Sequence, residues 1–374
     1  MNQQLHIICL DNPDPPDYGG AIDMFYKIKS LYEEGIKIYL HYFDYNERDN
    51  TDEISKYCET IQSYKRKTAF KGFSLKLPYI VASRINKDLI ARLKKDNHPV
   101  LVEGIHCTGI LSQLETTTRK VIVRLHNNES VYYNELASST QNIYKKQFFK
   151  NESKLLKKYQ QQLSDRHIYI CISERDTSLF KTDYKLKQVE YFPAFIAWQK
   201  VTGRTGSGDF CLYHGNLSVP ENEKAIIWLI NEVLPGIQMP FVIAGKNASQ
   251  YLIDIIQKQI RCRLINNPDD IELNELIQKA HINLLPSFNS TGIKLKLLHA
   301  LFKGRHCIAN KAMIDGTGLE TTCEITASAK EFVDVINKLS NQPFKEEDLT
   351  LRTHLLGNIF NNKINAERII QLIW

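Results

Sequence analysis

Two lysines, Lys294 and Lys296, open the apolar run of STGIKLKLLHALFKG (290–304), and His299 follows three positions after the second. The run reads as a helix, and a cation in a helix's first turn costs about a few tenths of a kcal/mol unless an anion lies near. The strand HINLLP before it, the small-residue turn through Gly292 and a helix closing at Gly304 make an anion-binding arrangement, because free N–H groups and the helix dipole both favour phosphate. Lys296 and His299 share a helix face, whereas Lys294 joins them only if it still lies in the turn. The same spacing also suits two lysines lying over an exposed core helix.

Further residues gain interest from their place after strand-like runs. Gly19 and Gly20 follow HIICL and a Pro-rich turn, where they could take positive φ and let the backbone approach a phosphate or acceptor, or simply form a tight turn. His126 ends KVIVRL, so it belongs at a strand's carboxyl end, where ligands of parallel sheets bind. Glu129, Ser173 and Asp176 suit acceptor positioning or helix capping, and Ser173 with Asp176 has the capping spacing. No pair of carboxylates suggests a glycosidase-type nucleophile and acid.

These residues need elements to hold them. Short β-branched runs (HIICL, KIYLHYF, PVLVEG, KVIVRLH, HIYICIS) alternate with longer amphipathic ones, and after AWQKVTGRTGSGD the alternation resumes with DFCLYHG, PFVIAG, RCRLIN and HINLLPS. That is the pattern of parallel α/β sheets. A chain of 374 residues exceeds one typical core. The predicted organisation is therefore α/β with two doubly wound Rossmann-like domains facing across a cleft: 1–195, a linker at 196–209, 210–355, and a C-terminal helix at 356–374 packing back on the first domain.

Composition narrows the function. A net charge of +6 is too small for a nucleic-acid-binding domain and fits an anionic ligand or surface. The eight cysteines include no CxxC pair and read as reduced core thiols, with no metal site expected. The start, MNQQLHIICLDNPDPP, lacks a signal peptide's basic and apolar regions, and no run approaches the roughly 20 apolar residues of a membrane span. A cytoplasmic protein is expected. Two cationic, aromatic-rich stretches, SYKRKTAFKGFSLKLPY (63–79) and YKKQFFKNESKLLKKYQ (144–160), fit either a solvated face or peripheral contact with an anionic inner membrane.

Taken together, CLYHGNLSVPENEKAIIWLINEVLP, FVIAGKNAS and TGIKLKLLHALFKGRHCIANKAMIDGTGLE, in that order, resemble the second domain of the GT-B glycosyltransferases of the retaining group 1, or family 4, type. In the first half, DPPDYGGAIDMFYKI, VRLHNNESVYYNEL and CISERDTSLF look like the family's glycine-rich loop, its HN-x-E turn and its S-x-x-D turn. The resemblance implies a UDP- or GDP-sugar as substrate, no cofactor, and donor binding by Gly215, Asn216, Gly245, Lys246, Thr291, Gly292, Lys294, Lys296 and His299 with Gly19 and Gly20. It implies that His126 contacts the transferred sugar or the acceptor, the catalytic assignment made here. It further implies a front-face, substrate-assisted transfer with retention, and a glycan or lipid-linked acceptor in bacterial surface polysaccharide synthesis.

Two departures stand out. Many relatives carry Glu-x7-Glu where this chain has Thr291 and His299, and a basic pair in the second domain's first turn where it has Gly215, Asn216 and Asn222. A neutral imidazole offers one acceptor nitrogen where a carboxylate offers two oxygens, so ribose would be held with fewer charge-assisted bonds. A catalytically silent GT-B protein that binds a nucleotide or glycan, or scaffolds an active transferase, is the alternative reading.

Overall fold

A computed structural model describes the chain except residues 1, 2, 45–47, 49, 115–117, 141, 289–291 and 293, and the side chain of residue 139. The chain divides into two compact units, Met1–Ala197 with Thr291–Ile293 and Phe360–Trp374, and Trp198–Ser290 with Lys294–Ile359. The segment expected as a linker, 196–209, contains no helix, and its one β contact is the bridge Gly206↔Phe344.

The first unit holds strands β1 (Gln4–Cys9), β2 (Lys37–Asp44), β3 (Thr60–Lys65), β4 (Val100–Glu103), β5 (Val121–Leu125), β6 (Ile168–Cys171) and β7 (Val189–Tyr191). All pair parallel in the order β3-β2-β1-β4-β5-β6-β7. Its helices are α1 (Gly19–Glu33), α2 (Tyr79–Ala82), α3 (Lys87–Leu93), α4 (Glu129–Ser139), α5 (Ile143–Gln160) and α6 (Glu174–Thr182), and the stretch IHCTGILSQ forms a 3-10 helix, Ile105–Gln113, rather than an α-helix. Alternate residues of each buried strand feed opposite faces. Ile8, Val100, Val102 and Val123 pack with Leu89, Leu156 and Phe180, while Leu5, Ile7, Leu101 and Ile122 pack with Met24, Ile28, Ala366 and Ile369.

The second unit has β8 (Cys211–Asn216), β9 (Phe241–Lys246), β10 (Cys262–Asn266), β11 (Ile282–Leu285), β12 (His306–Asn310) and β13 (Glu324–Thr326), parallel in the order β10-β9-β8-β11-β12-β13. Its helices are α7 (Pro220–Trp228), α8 (Gln250–Gln257), α9 (Asp270–Lys279), α10 (Leu295–Lys303), α11 (Lys311–Ile314), α12 (Ala329–Leu339) and α13 (Glu346–Ile359). The last helix, α14 (Asn362–Ile373), packs on α1 in the first unit through Ala366, Ile369 and Ile373. The run NEKAIIWLINEVLP is α only to Trp228 and then widens into a π turn, Leu229–Val233.

Local sequence explains the helix starts. Asn128, Asn142, Ser173, Ser249, Asp269, Ser328 and Asn361 each accept a backbone N–H of the first turn, satisfying donors the helix cannot. Each sheet reverses its winding once, at β1/β4 and at β8/β11, and the crevice at the carboxyl ends of such a pair is where ligands bind.

Candidate active site

In the second unit the reversal point is built by β8, α7, the turn after β11 and α10. Lys294 is the N-cap residue of α10, still in the turn, and Lys296 lies in the first helical turn. The Lys296 ammonium donates to Asn222 Oδ1 at 2.7 Å and Tyr213 Oη at 3.0 Å and stands 4.9 Å above the Tyr213 ring. Burial holds its pKa down at about 8, against the pull of the Glu221 carboxylate. Glu221 is itself tied to the turn after β11, accepting from Ser287 Oγ at 2.7 Å. The ammonium has thus lost much of its water while its hydrogen-bonding partners are neutral oxygens.

His299 lies one turn further along. Asn274 Nδ2 donates to the Asp270 carbonyl, so Asn274 Oδ1 faces His299 Nε2 at 2.8 Å and the imidazole must be the donor there. Its Nδ1 remains an acceptor. The ring stacks on Trp198 at 4.4 Å and meets the edge of His214 at 5.6 Å, and burial drops its pKa to about 3, so it is neutral at physiological pH. Burial also holds His214 well below the ordinary range, and His214 Nε2 finds no hydrogen-bond partner among the described residues.

The remaining second-unit candidates divide. Gly215 pairs with Gly245 and Asn216 with Lys246 across β8 and β9, so all four meet at one strand end. A Cβ on Gly245 would lie 1.9 Å from the Gly215 carbonyl oxygen, so β9 tolerates no side chain there, whereas a Cβ on Gly215 would come nearest to Asn222 Nδ2, at 3.3 Å. Asn216 is engaged by its own turn, its Oδ1 accepting from Ser218 N and Oγ and its carbonyl from Asn222 Nδ2. Lys246 is exposed. Gly292 has φ +76°, in the left-handed region, and groups with the first unit rather than with the residues around Lys296. Thr291 lies outside the described residues. Gly304 closes α10 in an extended conformation, and a Cβ there would meet Asn283 Nδ2 at 2.4 Å.

The first unit's reversal point carries a buried ionic network. Arg124 grips Asp23 with Nη2 at 2.9 Å and Nε at 3.1 Å and donates to the carbonyls of Phe192 and Pro193. Lys27 bridges Asp23 (2.8 Å) and Glu103 (3.0 Å), and Glu103 accepts from His126 Nε2 at 2.8 Å. Burial alone would raise both carboxyls, but Arg124 and Lys27 at Asp23, and Lys27 and His126 at Glu103, outweigh it and hold both below their ordinary ranges. Asp23, Glu103 and His126 place ligand atoms within 4.8 Å of one another, as a metal site would, yet the Lys27 ammonium occupies the cation's position between the carboxylates. The network holds the His126 imidazole through Glu103, which Lys27 fixes in turn.

Gly19 and Gly20 depart from expectation: they are the first residues of α1 with helical backbone, not positive φ, and a Cβ on Gly20 would meet the Tyr18 ring at 2.9 Å. Ser173 caps α6, accepting from Asp176 N at 3.1 Å. Glu129 heads α4, where burial raises its carboxyl to about 7. Sequence reasoning did not single out Tyr213, Glu221, Ser287, Asn274, Trp198 or the Asp23-Lys27-Glu103-Arg124 set. The last had a signal, since a carboxylate closing PVLVE and an arginine inside VIVRL put charge into buried strands. A cavity of ≈ 630 Å³ beside β12, β13 and α13 includes none of the candidate residues.

Residues 208–342 match the model of the family described as glycosyl transferases group 1, so the second unit carries a glycosyltransferase domain, the enzyme class expected from the sequence. Over 332 residues the chain is 24% identical to an uncharacterized 44.6 kDa protein in the cps region of Klebsiella pneumoniae, covering 83% of this chain and 84% of that one. Among solved structures, it resembles sucrose-phosphate synthase from Thermosynechococcus elongatus (TM-score 0.71, 14% identity, 99% of this chain and 98% of that one). It also resembles Anabaena HepE, solved with UDP and glucose (TM-score 0.66, 10% identity, 100% and 99%). The fold is that of the GT-B glycosyltransferases.

Proposed function

We propose that the protein transfers a sugar, with retention at its anomeric carbon, from a UDP- or GDP-sugar to a glycan or lipid-linked acceptor in the synthesis of a bacterial surface polysaccharide. The observation that carries this reading is Lys296: a half-buried ammonium at the N-terminus of α10, at the sheet's reversal point, bonded to neutral oxygens. Such a group gains most from an anion arriving beside it. Breaking the bond from the sugar's anomeric carbon to a nucleoside diphosphate leaves charge on the departing phosphate, and a preorganised cation lowers the barrier by favouring that charge over the ground state. Lys294 in the turn and the first amides of α10 add to the same field. The likeness to a protein encoded in a cps region supports the polysaccharide role, and HepE's complex with UDP and glucose supports the donor class.

On the acceptor side we assign His126, whose Nε2–H is held by Glu103, so that its orientation does not depend on substrate. His299 Nδ1 is the acceptor available to a ribose hydroxyl, replacing the usual carboxylate with a weaker, uncharged partner. That substitution is what favours the second reading, a protein that binds a nucleotide sugar without turning it over.

The test is turnover of a panel of UDP- and GDP-sugars by the parent and by Lys296→Ala. Loss of about 3 kcal/mol of transition-state stabilisation, roughly a hundredfold in rate, is expected. A variant within a few-fold of the parent in both rate and donor affinity would remove Lys296 from the site. Tight donor binding with no turnover on any acceptor would establish the second reading, and the anomeric configuration of the product, read by NMR, decides retention.

A further inference from the structure

The first unit has one surface that its own fold does not explain. The first two turns of α5, Ile143–Phe148, are exposed at every position, with Ile143 78% and Tyr144 88% exposed. The segment leading from β3 to α2 exposes Phe70 (95%) and Leu75 (84%) in the same way. The two stretches are neighbours: Tyr79 meets Phe148 edge-to-face at 6.3 Å, and its backbone N–H donates to Glu152 at 2.7 Å.

Their charge is one-sided. Residues 63–79 carry four lysines and one arginine and no acidic residue, and α5 carries six lysines against Glu152 alone, which is 3% exposed. All ten lysines are exposed. A solvated helix face accounts for lysines but not for nearly bare phenylalanine, leucine, isoleucine and tyrosine among them, since each such side chain gains free energy only when covered.

We propose that this face, the start of α5 together with residues 69–77, docks on the surface of a bilayer containing anionic phospholipid. Charge complementarity selects the occupant. A polyanion such as a nucleic acid or an acidic glycan would satisfy the lysines and leave the aliphatic Leu75 and Ile143 in water, whereas a bilayer offers both an anionic headgroup layer and an apolar interior beneath it. Lysines set around aromatic and aliphatic side chains match that layering. Among the described residues no helix is long and apolar enough to cross a membrane, so the contact is peripheral. This inference stands on the first unit's surface and is independent of the donor site.

The experiment is co-sedimentation of the full chain with phosphatidylcholine vesicles, with and without about 30% phosphatidylglycerol, at about 0.15 M salt. Binding to the anionic vesicles at least about tenfold above the neutral ones is expected. The combined variant Phe70→Ser, Leu75→Ser, Ile143→Ser, Tyr144→Ser should lose most of that binding while keeping the parent's thermal melt, because all four side chains are exposed. A second variant, Lys145→Glu with Lys146→Glu, should lose it as well. Equal binding to both vesicle types would overturn the proposal. So would an apolar variant that sediments like the parent, which would mark the face as a site for soluble polyanions.

Discussion

A half-buried lysine whose hydrogen-bond partners are neutral oxygens is a proton-linked receptor. With its pKa lowered to about 8, Lys296 is charged at neutral pH in the unliganded protein, and a diphosphate beside it would raise that pKa again. Binding therefore takes up a proton above pH 8. We expect UDP or GDP affinity to be level from about pH 7 to 8 and to fall by up to tenfold per pH unit above that. Titration calorimetry to about pH 9.5 reads this directly, and a flat profile would show that Lys296 does not meet the phosphate. The sign for folding is opposite. Because the folded pKa lies below the ordinary lysine value, the unfolded chain binds more protons between pH 8 and about 10.5, so this group's contribution to stability rises with pH over that window. His299, with its pKa at about 3, is neutral across the same range and adds no slope.

At the scale of elements, the proposed donor site adjoins the carboxyl ends of β8 and β9, where the two strands approach closely. Gly215 and Gly245 face each other in register, with Asn216 and Lys246 immediately beyond. Gly245→Ala would force a Cβ to within 1.9 Å of a backbone oxygen, and backbone cannot rotate aside as a side chain can. We expect a loss of about 1–3 kcal/mol in denaturant unfolding, with weaker nucleotide binding as the strand ends separate. Stability and nucleotide affinity equal to the parent's would mean that these strands slide without cost. Gly304, by contrast, is required by Asn283 packed against it, a reason unrelated to the left-handed backbone usually sought at a helix end.

At the scale of the whole molecule, two units with separate cores and separate polar centres should respond separately. A nucleoside diphosphate at about 100 times its Kd adds about 2.7 kcal/mol to the unit that binds it, or roughly 5–10 °C in that unit's melting temperature. Scanning calorimetry should show the shift with the parent and a much smaller one with Lys296→Ala. A shift that survives in the variant would place the nucleotide elsewhere. The alternation of strands and helices and the cation pair at the start of α10 were both legible in the sequence, because periodicity and helix-end electrostatics are local. Local pattern misled at Gly19 and Gly20, whose spacing after a strand suits a loop but whose backbone is helical. What surrounds Lys296 was out of reach. Tyr213, Glu221, Asn222 and Ser287 come from β8, from α7 and from the turn after β11, separated by up to 83 positions from the lysine they enclose. Likewise Lys27 and Glu103, 76 positions apart, become partners only because β1 and β4 lie side by side. The sequence by itself determined which residues carry charge and which segments are strands or helices; the packing of sheet on helix decided which of those charges lose their water, and so which of them need an anion, because desolvation depends on neighbours that are distant in sequence.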